Sequence, residues 1–270
     1  MWHPKWMRTS RLSLWPRTEI WLHVTAWAAG DTIFGDGPSL RAMVFHGASD
    51  TRSSEMRLVR LEKKLLLERQ PGGKRDRIYR LTARGRAVVL GGRDPVAWWA
   101  RNWDGNWRVV LFDLPADQSL ERTRLLRLLR DCGFGCVQGS VWLSPHSLQE
   151  DEQPEGGTEF AQSLLMILGR PQGTMTDAQL VEAAWDWEEI AKSWRAHEKL
   201  LRNAPAKDPD RRRLKAWFTE EFQSWKHLMT SDPLLPEALW PTGYRGRAVW
   251  RLRQATLPAC ARHLLEPGAP

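Results

Sequence analysis

The sequence predicts an α+β chain in three parts, and three observations predict it. A strongly basic stretch reads as helices followed by a hairpin, a strand–helix–strand pattern follows between residues 107 and 168, and helical periodicity fills the remainder. At 270 residues the chain exceeds the usual size of one core, so it is divided into residues 1–94, 95–170 and 171–270. No apolar run approaches the roughly 20 residues of a membrane span, and the basic N-terminus lacks a small-residue cleavage site. The expectation is a cytoplasmic protein without a membrane partner. Three cysteines, Cys132, Cys136 and Cys260, make no disulfide framework, and no histidine is spaced to complete a zinc site with them. His146, His197 and His227 are scattered, so no metal and no cofactor is expected.

The net charge of +8 is local. Residues 51–93 hold 13 Lys and Arg against 4 acids, so the rest of the chain is close to neutral. A basic excess confined to one segment suits a phosphate-binding surface. Within and before it the elements can be placed in order. Glu19–Ala29 is a first helix with Ile20, Val24 and Trp27 on one side, ended by Gly30-Asp31. Pro38 to Phe45 is expected as a second, short helix because proline suits a helical first turn. Thr51 opens a third, in which Leu58, Leu61 and Leu65 form the buried stripe and Ser53, Arg57, Arg60 and Lys64 the opposite face. Residues 66–70 and 77–81 flank a Pro-Gly-Gly turn as two strands, and Thr82 caps a further helix. Helix, helix, basic helix and basic hairpin is the order of a winged helix-turn-helix. Its DNA-contacting residues are read as Arg52, Ser53, Arg57, Arg60 and Lys64 on the helix and Lys74, Arg75 and Arg77 on the hairpin, with Arg52 and Arg57 the base readers. A winged helix also serves as a protein-binding module, so an adaptor stays as an alternative.

Pro95 to Asn102 reads as a linker, and Trp107–Phe112 as a β-branched and aromatic strand. Leu120 to Cys132 is a helix with Leu125, Leu128 and Leu129 inward, and strands around Gly139 and over Ser163–Leu168 complete a ferredoxin-like sandwich. Asp113, at the end of the first strand, is where nuclease relatives of such a domain bind a divalent metal. No further carboxylates accompany it, so it is read as a turn or capping residue, a metal-dependent nuclease is kept as an alternative, and catalysis is not expected. Asp177 to Asn203 is one amphipathic helical region with Leu180, Ala184, Trp187, Ile190 and Trp194 recurring at three to four. A polar break at 205–213 precedes a last helical part, making a mainly helical C-terminal domain. The seventeen tryptophans could line a cavity as readily as pack a core; Trp185 and Trp187 are the ligand candidates, with Arg211 and Arg212 for a phosphorylated end.

Four stretches carry a resemblance to a known family. They are Arg60-Leu61 through Leu81-Thr82-Ala83-Arg84-Gly85-Arg86; Trp103-Asp104-Gly105-Asn106-Trp107 through Asp113-Leu114-Pro115; Gly133-Phe134-Gly135 with Gly139-Ser140-Val141-Trp142-Leu143-Ser144-Pro145; and Ala184-Trp185-Asp186-Trp187 with Asp232-Pro233-Leu234-Leu235-Pro236. In that order they resemble the PaaX family, the repressors of phenylacetic-acid-degradation operons. The resemblance implies a DNA-binding transcriptional repressor released by an acyl-CoA effector, phenylacetyl-CoA in the best-known members, in phenylacetate catabolism; a homodimer on a palindromic operator in double-stranded DNA is expected because one short winged head reads only a half-site. It also implies a middle domain similar to the small ferredoxin-like subunit of CRISPR adaptation complexes. This chain departs from the family where a glycine usually separates recognition helix and wing; here the run is Leu65-Leu66-Leu67. Glu55 falls in the DNA-facing stretch, and an acidic insert spans Gln149 to Glu159.

Overall fold

The computed structural model describes residues 16–28, 39–41, 51–70, 78–114, 118–146, 164–205 and 210–265. Their contacts divide into two compact units. One draws on Arg93–Trp194 and His227–Arg245, the other on the described parts of Leu12–Gly92, Arg195–Lys226 and Gly246–Pro270.

The second unit begins with α1 (Pro16–Ala28), followed by β1 (Ser39–Arg41), α2 (Thr51–Lys63), β2 (Leu67–Gln70), β3 (Ile78–Leu81) and α3 (Ala83–Val89). The three strands form an antiparallel sheet in the order β1-β3-β2. Residues 39–41 are therefore a strand, not the start of the helix expected from Pro38; positions 42–45 lie outside the described residues. A three-residue apolar spacing cannot distinguish helix from strand, and here the backbone pairs Ser39 with Arg80 and Arg41 with Ile78. The expected third helix and the paired strands of the hairpin are present, and Thr82 caps α3 by accepting from the Gly85 amide at 3.0 Å. Gly85 is glycine for want of room: a Cβ there would stand 2.0 Å from the Leu66 carbonyl oxygen.

Helix α2 ends in a Schellman turn. The Leu65 amide donates to the Glu62 carbonyl at 2.8 Å and the Leu66 amide to the Leu61 carbonyl at 3.0 Å. Leu65 takes the left-handed conformation this turn needs, with φ 56°, and its side chain is 66% exposed. A leucine therefore stands in strained backbone at the junction of helix and hairpin.

The same unit is completed by parts of α7 (Trp187–Arg202) and α8 (Arg211–Ser231) and by α9 (Gly246–Leu265). Its core holds a charged network. Glu221, fully buried, accepts from the Arg253 Nε at 2.6 Å, lies 3.2 Å from His23 Nε2 and 3.5 Å from His197 Nε2. The Arg253 guanidinium lies 4.1 Å from the centroid of Trp225 and 4.9 Å from that of Trp27. His23 stacks on Phe222 with ring centroids 4.1 Å apart, and its Nδ1 lies 3.2 Å from the Val89 carbonyl oxygen. Burial opposes ionisation of Glu221, but Arg253 and the two histidines outweigh it and hold the carboxyl well below its ordinary range.

The first unit starts at α4 (Pro95–Trp99), a five-residue helix where a linker was expected. Asp94 caps it, accepting from the Val96 and Ala97 amides at 3.0 and 3.3 Å, and Pro95 occupies its first turn. Next come β4 (Trp107–Phe112), α5 (Ser119–Asp131), β5 (Gly135–Gln138), β6 (Val141–Ser144) and β7 (Leu164–Gly169), whose strands form an antiparallel sheet in the order β5-β6-β4-β7. That is the order of a ferredoxin-like sheet. Alternation sorts the residues to its two faces. Val110, Phe112 and Trp142 pack with Leu125, Leu129 and Phe134 beside α5, while Trp107 and Leu143 pack with Val181, Ala184, Leu235 and Leu239 on the other.

The helical region expected as continuous over 177–203 is two helices, α6 (Asp177–Ala184) and α7. The hydrophobic period runs through the junction, but Trp185 is extended and Asp186 restarts the helix by accepting from the Glu189 amide at 3.0 Å. Helix α8 likewise begins before Leu214: Asp210 accepts from the Arg212 amide at 3.0 Å, so the three arginines lie in its first turn.

Candidate nucleic-acid interface and ligand cavity

On α2, Leu61 is buried, Leu58 half-buried and Arg60 and Lys63 exposed; Leu65, expected in the buried stripe, is instead 66% exposed, because the helix ends at Lys63 and Leu65 turns outward in the left-handed conformation, with Lys64 half-buried beside it. Arg52, Ser53 and Arg57 belong to the same helix by backbone. Lys74, Arg75 and Arg77 fall between the two hairpin strands, outside the described residues.

The first unit contains a cavity of about 370 Å³. Phe134, Trp142 and Trp185 supply aromatic walls, Arg130 a cation, Thr230 and Ser231 hydroxyls, and Asp186 and Asp232 carboxyls. Its floor is tightly tied. Asp232 accepts from the Trp194 indole at 2.6 Å, the Tyr244 hydroxyl at 2.9 Å and the Leu234 amide at 2.7 Å; burial nevertheless pushes its carboxyl up from the usual range. Half-buried Arg93 donates to the Met229 and Asp232 carbonyls, and desolvation lowers its guanidinium to about 10. The Arg130 guanidinium lies 5.3 Å from the Trp142 ring centroid, and the buried Trp142 indole N–H has no hydrogen-bond partner among the described residues. A Cβ on Gly135 would stand 2.5 Å from Trp185 and 2.6 Å from the Ala184 carbonyl oxygen, so glycine lets β5 abut the end of α6 and sets this wall.

Of the expected ligand residues, Trp185 lines the cavity. Trp187 stands beside it, ring centroids 6.2 Å apart, with its indole donating to the Val181 carbonyl at 2.8 Å. Arg211 and Arg212 do not line it; both are exposed at the start of α8, where Arg211 donates to the Leu264 carbonyl at 2.7 Å. Sequence reasoning missed Arg130, Trp142 and Asp232 as cavity residues. A signal existed, because two of the four family-resembling stretches meet here: Gly133-Phe134-Gly135 with Trp142, and Ala184-Trp185-Asp186 with Asp232-Pro233. Asp113 is exposed just past β4, and the N-cap position of α5 is Gln118. Among the described residues no group of three His, Cys, Asp or Glu is placed to hold a metal ion, and no helix is long and apolar enough to cross a membrane.

The sheet with its crossing helix and the cavity beside it define a chain of mixed helix and sheet built around a ferredoxin-like centre. Residues 100–181 match the family model described as the PaaX protein central Cas2-like domain. A solved structure, that of the uncharacterized protein Rv0674 from Mycobacterium tuberculosis, is similar over 81% of this chain and 86% of its own, with a TM-score of 0.51 and 19% identity, a likeness of fold. No curated protein matches the chain.

Proposed function

We propose that this protein is a sequence-specific transcriptional regulator, a repressor that binds a palindromic operator as a homodimer in the cytoplasm and is released by an acyl-CoA such as phenylacetyl-CoA, without catalysing a reaction. One observation carries the reading: a PaaX-type central domain shares its chain with a basic helix followed by a paired hairpin. The sheet order β1-β3-β2 behind α2 fits a winged helix and supports the assignment of Arg52, Ser53, Arg57, Arg60 and Lys64 to the major groove and of Lys74, Arg75 and Arg77 to the sugar-phosphate. The cavity favours an effector with a planar apolar end, for which Trp142 and Trp185 are walls, and a polar oxygen within reach of Arg130. At about 370 Å³ it suits the aryl-acyl part of a thioester and leaves the nucleotide outside.

The test is a pair of variants. Arg57→Ala is expected to weaken operator binding by about 1–3 kcal/mol and relax specificity at one position, whereas Lys74→Ala lowers affinity on every sequence and flattens the salt dependence. Wild-type titrations from both variants would remove α2 and the hairpin as the DNA surface.

A further inference from the structure

Among the described residues of the second unit, the exposed large aliphatic side chains are Met56, Val59 and Leu65, all between positions 56 and 65. Leu65 is turned outward by its left-handed backbone after the helix end, but Met56, 50% exposed, and Val59, 40% exposed, lie inside α2. Arg60 and Lys63 are exposed with them. Positions i, i+3, i+4 and i+7 share one side of a helix, so these four residues form a single stripe, about 100° wide at 3.6 residues per turn. Leu61, buried, and Leu58, half-buried, point away from it and supply the packing of α2. Met56 and Val59 are therefore apolar residues held on the outward, cationic side of the helix.

We propose that Met56 and Val59 are specificity-determining residues that contact thymine methyl groups in the major groove of duplex DNA. This deepens the regulator assignment above, on which it rests, by naming the base chemistry that α2 selects. The charge around the pair chooses the partner. Arg60 and Lys63 stand beside it on the same stripe, in a segment where residues 51–93 hold 13 Lys and Arg against 4 acids. An apolar patch edged by cations matches a surface that is anionic at its rim and apolar at its centre. The major groove at A·T pairs is such a surface: phosphates border it, it admits an α-helix, and the thymine C5-methyl is the apolar group among its hydrogen-bonding atoms. An aliphatic side chain set against a guanine or cytosine edge would strip water from donors and acceptors and replace none of those bonds. Three residues advance a helix by about 4.5 Å, close to the roughly 3.4 Å between base pairs, so Met56 and Val59 reach neighbouring pairs when α2 lies in the groove. Lys63, one turn on from Val59, meets a phosphate.

Fluorescence anisotropy of the full chain tests this on three duplexes: one from the promoter of its own operon, the same duplex with every thymine replaced by uracil, and a scrambled thymine duplex. Uracil lacks only the C5-methyl, so base pairing is kept. Burying one methyl is worth roughly fourfold in affinity, and one such contact in each of two half-sites makes the wild type bind the uracil duplex at least about tenfold more weakly. Met56→Ala and Val59→Ala, at exposed positions where alanine favours the helix, each weaken binding to the thymine duplex and reduce that preference. The double variant, folded by circular dichroism, binds the thymine and uracil duplexes alike, and Val96→Ala, at a valine 45% exposed on α4, changes nothing. A wild type that prefers the promoter duplex to the scrambled one yet binds its thymine and uracil forms equally would overturn the proposal and leave the regulator assignment standing. A uracil penalty that persists undiminished in the double variant would do the same, because it would come from DNA shape and not from these side chains. Equal binding of the promoter and scrambled duplexes would overturn both.

Discussion

Replacing Glu221 by leucine should cost more stability than almost any other single change in the second unit, and the reason is geometric. The carboxylate is fully buried and is the anion facing Arg253, His23 and His197 at 2.6, 3.2 and 3.5 Å. Without it the Arg253 cation stays buried with no counter-charge, a defect of about 3–5 kcal/mol. The faces of Trp225 and Trp27, 4.1 and 4.9 Å from the guanidinium, return part of that, on the order of 2 kcal/mol where the pair is desolvated. Glu221→Leu is therefore expected to lose at least about 2 kcal/mol. Adding Arg253→Met removes the stranded cation and fills its volume with an apolar chain, so the double variant should be more stable than Glu221→Leu alone. Urea unfolding followed by tryptophan fluorescence measures all four members of the cycle. A double variant whose loss equals or exceeds the sum of the single losses would refute the ion-pair account, as would a single loss under about 0.5 kcal/mol.

Leu65→Gly should stabilise the protein by about 0.5–1 kcal/mol in the same assay, since glycine adopts φ 56° without a Cβ clash and the exposed leucine loses little packing; a net loss would show that the leucine side chain matters to the turn. Acidification should destabilise the fold in stages. Burial, then Arg101, lowers the His146 imidazole from 6.5 to about 3, and burial lowers His23 as well, so both are neutral when folded. As pH falls below 6.5 the unfolded chain takes up protons that the folded one refuses, and stability fully present above that value is lost progressively toward pH 3, on the order of 5 kcal/mol through His146. Glu221, depressed in the fold, adds a further loss below its ordinary range, while buried Asp232, raised in the fold, offsets part of it. Unfolding free energies that stay flat from pH 7 to pH 4 in His146→Gln as well as wild type would contradict this. Trp185→Ala should weaken phenylacetyl-CoA binding in a fluorescence titration while leaving operator affinity unchanged; equal ligand affinity would remove Trp185 from the effector site.

Much of this architecture was legible locally. The hairpin follows from two strand-forming runs about Pro71-Gly72-Gly73, α3 from Thr82, and the strand from Trp107 to Phe112 from its β-branched and aromatic run. What failed did so for identifiable reasons. Three residues at 39–41 carry too little periodicity to reveal a strand whose partner lies near residue 79. The break at Trp185-Asp186 is hidden because the apolar spacing from Leu180 to Trp194 continues across it, although Asp186 is a capping residue three before Glu189. The charged network joins residues 198 and 230 positions apart, beyond any local pattern. Its trace is nonetheless present: Glu221 sits in the buried stripe of α8 with Phe218 and Trp225, and Arg253 in that of α9 between Val249 and Leu257, two opposite charges on apolar faces that had to be paired. The cavity was half visible, in Trp185 but not in Arg130 or Asp232, because family-resembling stretches far apart in sequence converge only after folding.

The most direct test of the regulator assignment is a fluorescence-anisotropy titration of the purified full chain against a duplex from the promoter of its own operon and against a scrambled duplex of the same composition, at two salt concentrations. The account predicts at least about 1,000-fold tighter binding to the promoter duplex, with both affinities falling as salt rises and phenylacetyl-CoA weakening the specific complex. Equal affinity for the two duplexes at both salt concentrations would contradict it.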